Sequence, residues 1–153
     1  MSGRRQFQSI IHNQEAIKFY TSYYGNRQLD PSRYFLVRIS NSSPKGVDTD
    51  YVIKDAVPDW KALVEPYKNG NLTQTDYILR YRQQLDGRQF AILLELDTIR
   101  TRAGGKDVVF LCYEKPGEFC HRHIFAQWLS ERENDYRVEV EELRAKDEQM
   151  TLF

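Results

Sequence analysis

The chain has two cysteines, three histidines, five prolines and no net charge across its 153 residues. Each shortage excludes a class of protein. Two cysteines, Cys112 and Cys120, do not supply the disulfide framework of a small secreted domain, and no apolar N-terminal run reads as a signal peptide. We therefore expect an intracellular, cytoplasmic protein. No apolar stretch approaches the roughly 20 residues of a membrane-spanning helix, so no membrane partner is expected. The 22 basic and 22 acidic residues cancel, which removes the global field behind non-specific duplex binding and leaves only local patches for a phosphate-bearing partner.

What is present is a chain of 41% apolar and 13% aromatic content, with ten Tyr, eight Phe and two Trp. That is enough for one ordinary core and too little for two. Short apolar strands alternate with helical patterns. Ala16 to Tyr24 and Tyr34 to Ile39 read as strands, rich in aromatic and β-branched residues and bounded by turn residues. A long irregular stretch with Pro44 and Pro58 follows. Asp59 can cap a helix through Tyr67, and Thr73 with Asp76 resembles a capping box that opens a second helix to about Leu85. A third helix runs from Phe90 to about Ile99 and stops near Gly104-Gly105. Val108 to Tyr113 is a nearly continuous apolar run, as a strand buried on both faces requires. A helix from His121 to Glu133 and a short strand near Val138 to Val140 complete a β–α–β unit. The pattern predicts an α/β fold, a three-layer Rossmann-like domain around a small, mostly parallel sheet. The single domain is expected over 1–140, with a charged C-terminal tail over 141–153.

Ligands in such sheets bind beyond the carboxyl ends of the strands. There the run Leu111 to His123, L-C-Y-E-K-P-G-E-F-C-H-R-H, passes from strand through a Pro-Gly loop into a helix start. Free N–H groups at that start attract an anion and lower a thiol's pKa. Cys120, with His121 and Arg122 adjacent, is a candidate catalytic thiol or a structural residue of the capping turn. Glu114 is a candidate acid or base. Cys112 reads as packing. The intervening residues and second thiol do not fit a phosphatase loop. For zinc, helical His121 and His123 would point roughly 200° apart, leaving Cys120 and His123 on one face and too few ligands, so no metal or other cofactor is expected. An arginine early in a helix opposes the macrodipole, so Arg122 either meets a bound phosphate or pairs with Glu114 or Glu118. Arg38, Lys45 and Lys115 add charge to the rim. Tyr77, Arg80 and Tyr81 share a helical face that can stack a base and hold a phosphate, or form a core edge.

The same run, followed by Trp128-Leu129, resembles the signature of the family called domain of unknown function 488. The resemblance covers nearly the whole chain in order: Tyr20 to Tyr23, Val37 to Ser40, Pro44-Lys45-Gly46, Trp60, Tyr67 to Gly70, and Tyr77 to Tyr81. At Asn41-Ser42-Ser43-Pro44 the chain departs from relatives, which often carry an Arg and paired prolines, and this weakens the case for a second loop arginine. The resemblance implies the fold and marks the Cys112–His123 loop as the functional centre, without naming an activity.

The last residues, Gln149-Met150-Thr151-Leu152-Phe153, are similar to the peptide by which many bacterial proteins dock on the replication sliding clamp. Leu152 and Phe153 would fill a hydrophobic pocket and Gln149 would supply directional hydrogen bonds, with Met150 a mild departure; alternatively, the two apolar residues fold back onto the core. Two functions are thus expected to compete. One is a nucleotide- or DNA-processing enzyme recruited to DNA repair or replication. The other is a non-enzymatic protein that binds a small anionic ligand such as a nucleotide.

Overall fold

A computed structural model describes residues 17–115, 117–132 and 140–143. Among the described residues, five strands form one parallel sheet in the order β3-β2-β4-β1-β5. They are β1 (Phe19–Tyr23), β2 (Tyr34–Arg38), β3 (Tyr51–Val52), β4 (Asp107–Cys112) and β5 (Val140–Glu142). β4 takes the central position its apolar run calls for, with every residue from Val108 to Cys112 buried. Helices flank this small sheet in a Rossmann-like, mixed α/β arrangement. No helix among the described residues is long and apolar enough to cross a membrane.

Side chains alternate across the sheet, as the pleat dictates. Phe35, Val37, Val108 and Phe110 enter the larger core cluster, together with the buried residues of the helices. Tyr34, Leu36, Val109 and Leu111 enter a smaller cluster on the other face with Leu143, against which Tyr20, Tyr24 and Leu29 pack. Glu141 and Glu142, assigned from the sequence to a charged tail, are strand residues, and Leu143 is buried. The Leu143 carbonyl accepts hydrogen bonds from Ser22 Oγ and Asn26 Nδ2, both 3.1 Å away, which fastens the end of β5 to β1. Of the strand expected near Val138 to Val140, the first two residues lie outside the described residues, as do Gln149 to Phe153.

The irregular stretch after β2 hides a strand. Only Tyr51 and Val52 pair, opposite Val37 and Arg38, and the Asp50 carboxylate accepts from Leu36 N–H at 2.8 Å. Two residues are too few for a period of two to be legible. Asp59 caps the next helix as expected, accepting from Ala62 N–H at 3.0 Å. The first turn, Trp60–Val64, is π-helical and runs into α1 (Glu65–Lys68). α2 (Gln74–Gly87) opens at Thr73, whose hydroxyl accepts from Asp76 N–H at 3.1 Å. Thr73→Ala should therefore cost about 1 kcal/mol, read as a lower urea midpoint with an unchanged slope. α3 (Gln89–Ala103) extends beyond Ile99 to Gly104, where a left-handed φ of 61° ends it at the residue type that adopts it most easily. α4 (His121–Ser130) buries Phe125, Trp128 and Leu129 in the larger core.

Candidate functional site

Because the strands are parallel and in register, Tyr23 lies opposite Cys112, and Arg38 opposite Leu111. The segments leaving β1, β2 and β4 thus emerge at one end of the sheet. Tyr24 donates to Ser40 Oγ at 2.7 Å, Ser40 Oγ donates to the Ser42 carbonyl at 2.6 Å, and Ser42 Oγ meets Tyr113 Oη at 2.8 Å. This chain of hydroxyls locks the loop after β2 to the loop after β4.

Beside it lies a cavity of about 460 Å³. Its wall is aromatic: Trp60 from the π turn, Tyr67 from α1, Tyr77 from α2, and Tyr113 and Phe119 from the loop between β4 and α4. Tyr67, Tyr77 and Phe119 form a triangle with ring centroids 5.2–5.4 Å apart. Lys68 Nζ stands 5.3 Å above the Trp60 ring and also lines the cavity. The polar lining includes Ser40, Asn41, Glu114 and His121. Burial, and then the charge of Glu114, holds the Tyr77 phenol well above its ordinary pKa, so it faces the cavity as a neutral hydroxyl.

The thiol chemistry differs from expectation. Cys112, expected as packing alone, is joined by a disulfide to Cys120, the residue preceding α4. Both are buried, and Cys120 lines the cavity. His121 joins them. Its Nε2–H donates to the Ile39 carbonyl at 2.6 Å, and Nδ1 stands 3.5 Å from Cys112 Sγ. The expected grouping of Cys120 with His123 is overturned, because the strand-borne Cys112 lies beneath the first residue of the helix. Ligand atoms of Cys112, Cys120 and His121 lie within 4.8 Å of one another, whereas His123 is exposed. Burial pushes the His121 imidazole from its usual 6.5 down to about 4, outweighing the opposite pull of the Ile39 hydrogen bond. The ring is therefore neutral at neutral pH. Glu114 Oε2 lies 3.1 Å from Cys112 Sγ.

Arg122 resolves towards pairing, with a different carboxylate from those expected. Its side chain is fully buried, and Nε and Nη2 hold the two Glu142 oxygens at 3.1 and 3.0 Å. Nη1 donates to the Glu114 carbonyl. Arg122 thus clamps the loop from behind and does not line the cavity. The other expected cations also lie outside its lining. Arg38 Nη1 donates to the Ser40 carbonyl at 2.8 Å, and Lys45 and Lys115 are exposed. The face expected for Tyr77, Arg80 and Tyr81 divides. Tyr77 lines the cavity, Tyr81 is fully buried with its hydroxyl on the Ala56 carbonyl, and Arg80 is exposed beside a separate shallow depression with Asp59 and Gln84. The Tyr81 ring packs edge-on against His121 at 5.7 Å.

Sequence reasoning missed Ser40, Asn41, Tyr113 and Phe119 as lining residues, and it gave no cavity role to Trp60, Tyr67 and Lys68. All but Asn41 had a signal, since they carry part of the family resemblance.

This geometry defines a small Rossmann-like α/β protein with an aromatic cleft beyond the carboxyl ends of its strands. The chain belongs to the DUF488-N3a family, described as the active DUF488-N3 subclade, whose model matches residues 8–133. No curated protein and no solved structure matches the chain.

Proposed function

We propose that this protein is an enzyme acting on a phosphate-bearing, ring-containing substrate of the nucleotide class, with Glu114 as the acid or base. The observation carrying this reading is the cavity itself. A volume of about 460 Å³ falls within the roughly 300–1,000 Å³ of small-molecule sites. Its aromatic wall offers π-faces for a base, and Lys68 supplies a cation. The start of α4 at His121 has no cap from the Cys120 side chain; its His123 N–H is taken by the Cys120 carbonyl, and the two N–H groups before it suit an anion. The family's description as an active subclade supports catalysis. Cys120 cannot act as a nucleophile while bonded to Cys112, and Glu114 is a carboxylate in the cavity lining, which suits the proton-transfer role.

Titration with nucleoside monophosphates should quench Trp60 fluorescence to saturation; a flat titration across all bases removes the reading. Glu114→Gln should keep binding and slow turnover by about 10²-fold or more. A nucleotide recovered unaltered from wild-type protein would instead identify the non-enzymatic nucleotide binder, for which the tied-up Cys120 is the favouring observation.

A role in DNA repair or replication rests on the tail sequence. We propose that Gln149, Met150, Leu152 and Phe153 dock on a bacterial sliding clamp. Deleting residues 149–153 should abolish capture by immobilised clamp, and persistent capture would refute the docking motif.

A further inference from the structure

The surroundings of Cys112 do not suit a disulfide alone. A carbonyl oxygen only accepts, so the 2.6 Å contact with Ile39 places the His121 proton on Nε2 and leaves Nδ1 as a bare acceptor. That acceptor stands 3.5 Å from Cys112 Sγ, and a second, Glu114 Oε2, stands 3.1 Å from the same sulfur. A disulfide sulfur has no hydrogen to give. Two acceptors therefore converge on an atom that satisfies neither.

We propose that the reduced protein binds one soft divalent cation of the zinc type through Cys112 Sγ, Cys120 Sγ and His121 Nδ1, with a fourth position open to the cavity. The three ligand atoms already lie within 4.8 Å of one another. Ligands about 2.3 Å (sulfur) and 2.0 Å (nitrogen) from a tetrahedral ion stand roughly 3.5 Å apart; the Cys112–His121 spacing is 3.5 Å, and the two sulfurs move apart to a comparable spacing once the disulfide is reduced. The Ile39 carbonyl supplies the outer contact that orients a ligating imidazole and fixes its tautomer. Thiolates select such cations over magnesium or calcium. Three protein ligands and an open position describe a catalytic site rather than a closed structural one. Cys120 and His121 line the cavity, so the open position faces the substrate space.

A dithiol reductant opens the site. Its two thiols become a disulfide as the Cys112–Cys120 bond breaks, and two electrons and two protons pass to the protein sulfurs. Binding the cation then releases those two protons. This inference rests on the cavity being the functional site, which it supplies with a Lewis acid.

The test is a Co²⁺ titration of full-length protein, stripped with a chelator and reduced with a phosphine, followed by Zn²⁺ displacement. One Co²⁺ per chain is expected, with thiolate-to-cobalt charge-transfer absorption and the intense visible bands of tetrahedral cobalt. The oxidised protein should show neither, a comparison that needs no substitution and so does not depend on a variant folding. His121→Gln and Cys120→Ser should each weaken binding by more than the roughly 10- to 100-fold that loss of an outer-shell partner costs. Absence of the charge-transfer band in reduced wild-type protein, or undiminished binding by Cys120→Ser, overturns the site. Nucleotide binding by the oxidised protein separates the two readings. If it persists while reduced protein takes no cobalt, the metal site fails and the cavity assignment stands.

Discussion

Glu142→Ala should destabilise the protein by about 3–5 kcal/mol, because it leaves a buried guanidinium without its counter-charge. At roughly 2–4 °C per kcal/mol for a domain of this size, Tm should fall by about 6–20 °C. Arg122 is completely buried, and both Glu142 oxygens are committed to it. Thr21 Oγ1 adds a third hydrogen bond to Glu142 at 2.7 Å. Arg122→Met should cost a similar amount, since it strands the carboxylate. The double variant Arg122→Met/Glu142→Leu should recover most of the loss, because exchanging a buried pair for apolar groups is often neutral where breaking it is not. A Glu142→Ala variant within about 1 kcal/mol of wild type in urea unfolding would mean that the pair is not buried as described. The variants also probe the site: Arg122 holds the Glu114 carbonyl, so losing the clamp should loosen the loop that carries the candidate acid or base.

The central strand, the two capped helices and the Cys120 helix start were legible because each has a local cause. An unbroken apolar run, a Thr or Asp before a helical pattern, and a Pro-Gly loop ahead of a helix all act within a few residues. What stayed hidden depends on distance along the chain. The partner of Arg122 is Glu142 on β5, twenty positions away, and spacing could offer only Glu114 or Glu118. The meeting of Cys112 with His121 follows from stacking a strand end beneath a helix start, which helical geometry alone assigns to the wrong histidine. The cavity wall collects Trp60, Tyr67 and Tyr77 from three successive helical segments, and no periodicity links them. Charge misled for a related reason: Arg38, Lys45 and Lys115 lie near the loops in sequence, but among the described residues the cation lining the cavity is Lys68.

Trp60→Ala should weaken nucleotide binding by roughly 5- to 150-fold, the value of one base–aromatic stack at about 1–3 kcal/mol. Trp60 suits this test because it is 45% exposed and outside the core clusters, so its removal should leave stability nearly unchanged. Tyr77 is less clean, since its ring is buried against Tyr67 and Phe119 and Tyr77→Ala would disturb packing and binding together. Calorimetry is the proper readout, because the substitution also removes the fluorophore. Trp60→Phe, which keeps a π-face, should retain most of the affinity, whereas a purely steric role would not distinguish Phe from Leu. Lys68, poised over the same ring at 5.3 Å, separates the two halves of the ligand. If it meets the phosphate, Lys68→Gln should weaken a nucleoside monophosphate while leaving the parent nucleoside unaffected. Equal loss for both would assign Lys68 to ordering Trp60 and move the phosphate contact to the α4 N-terminus; no loss from Trp60→Ala would refute stacking as the basis of recognition.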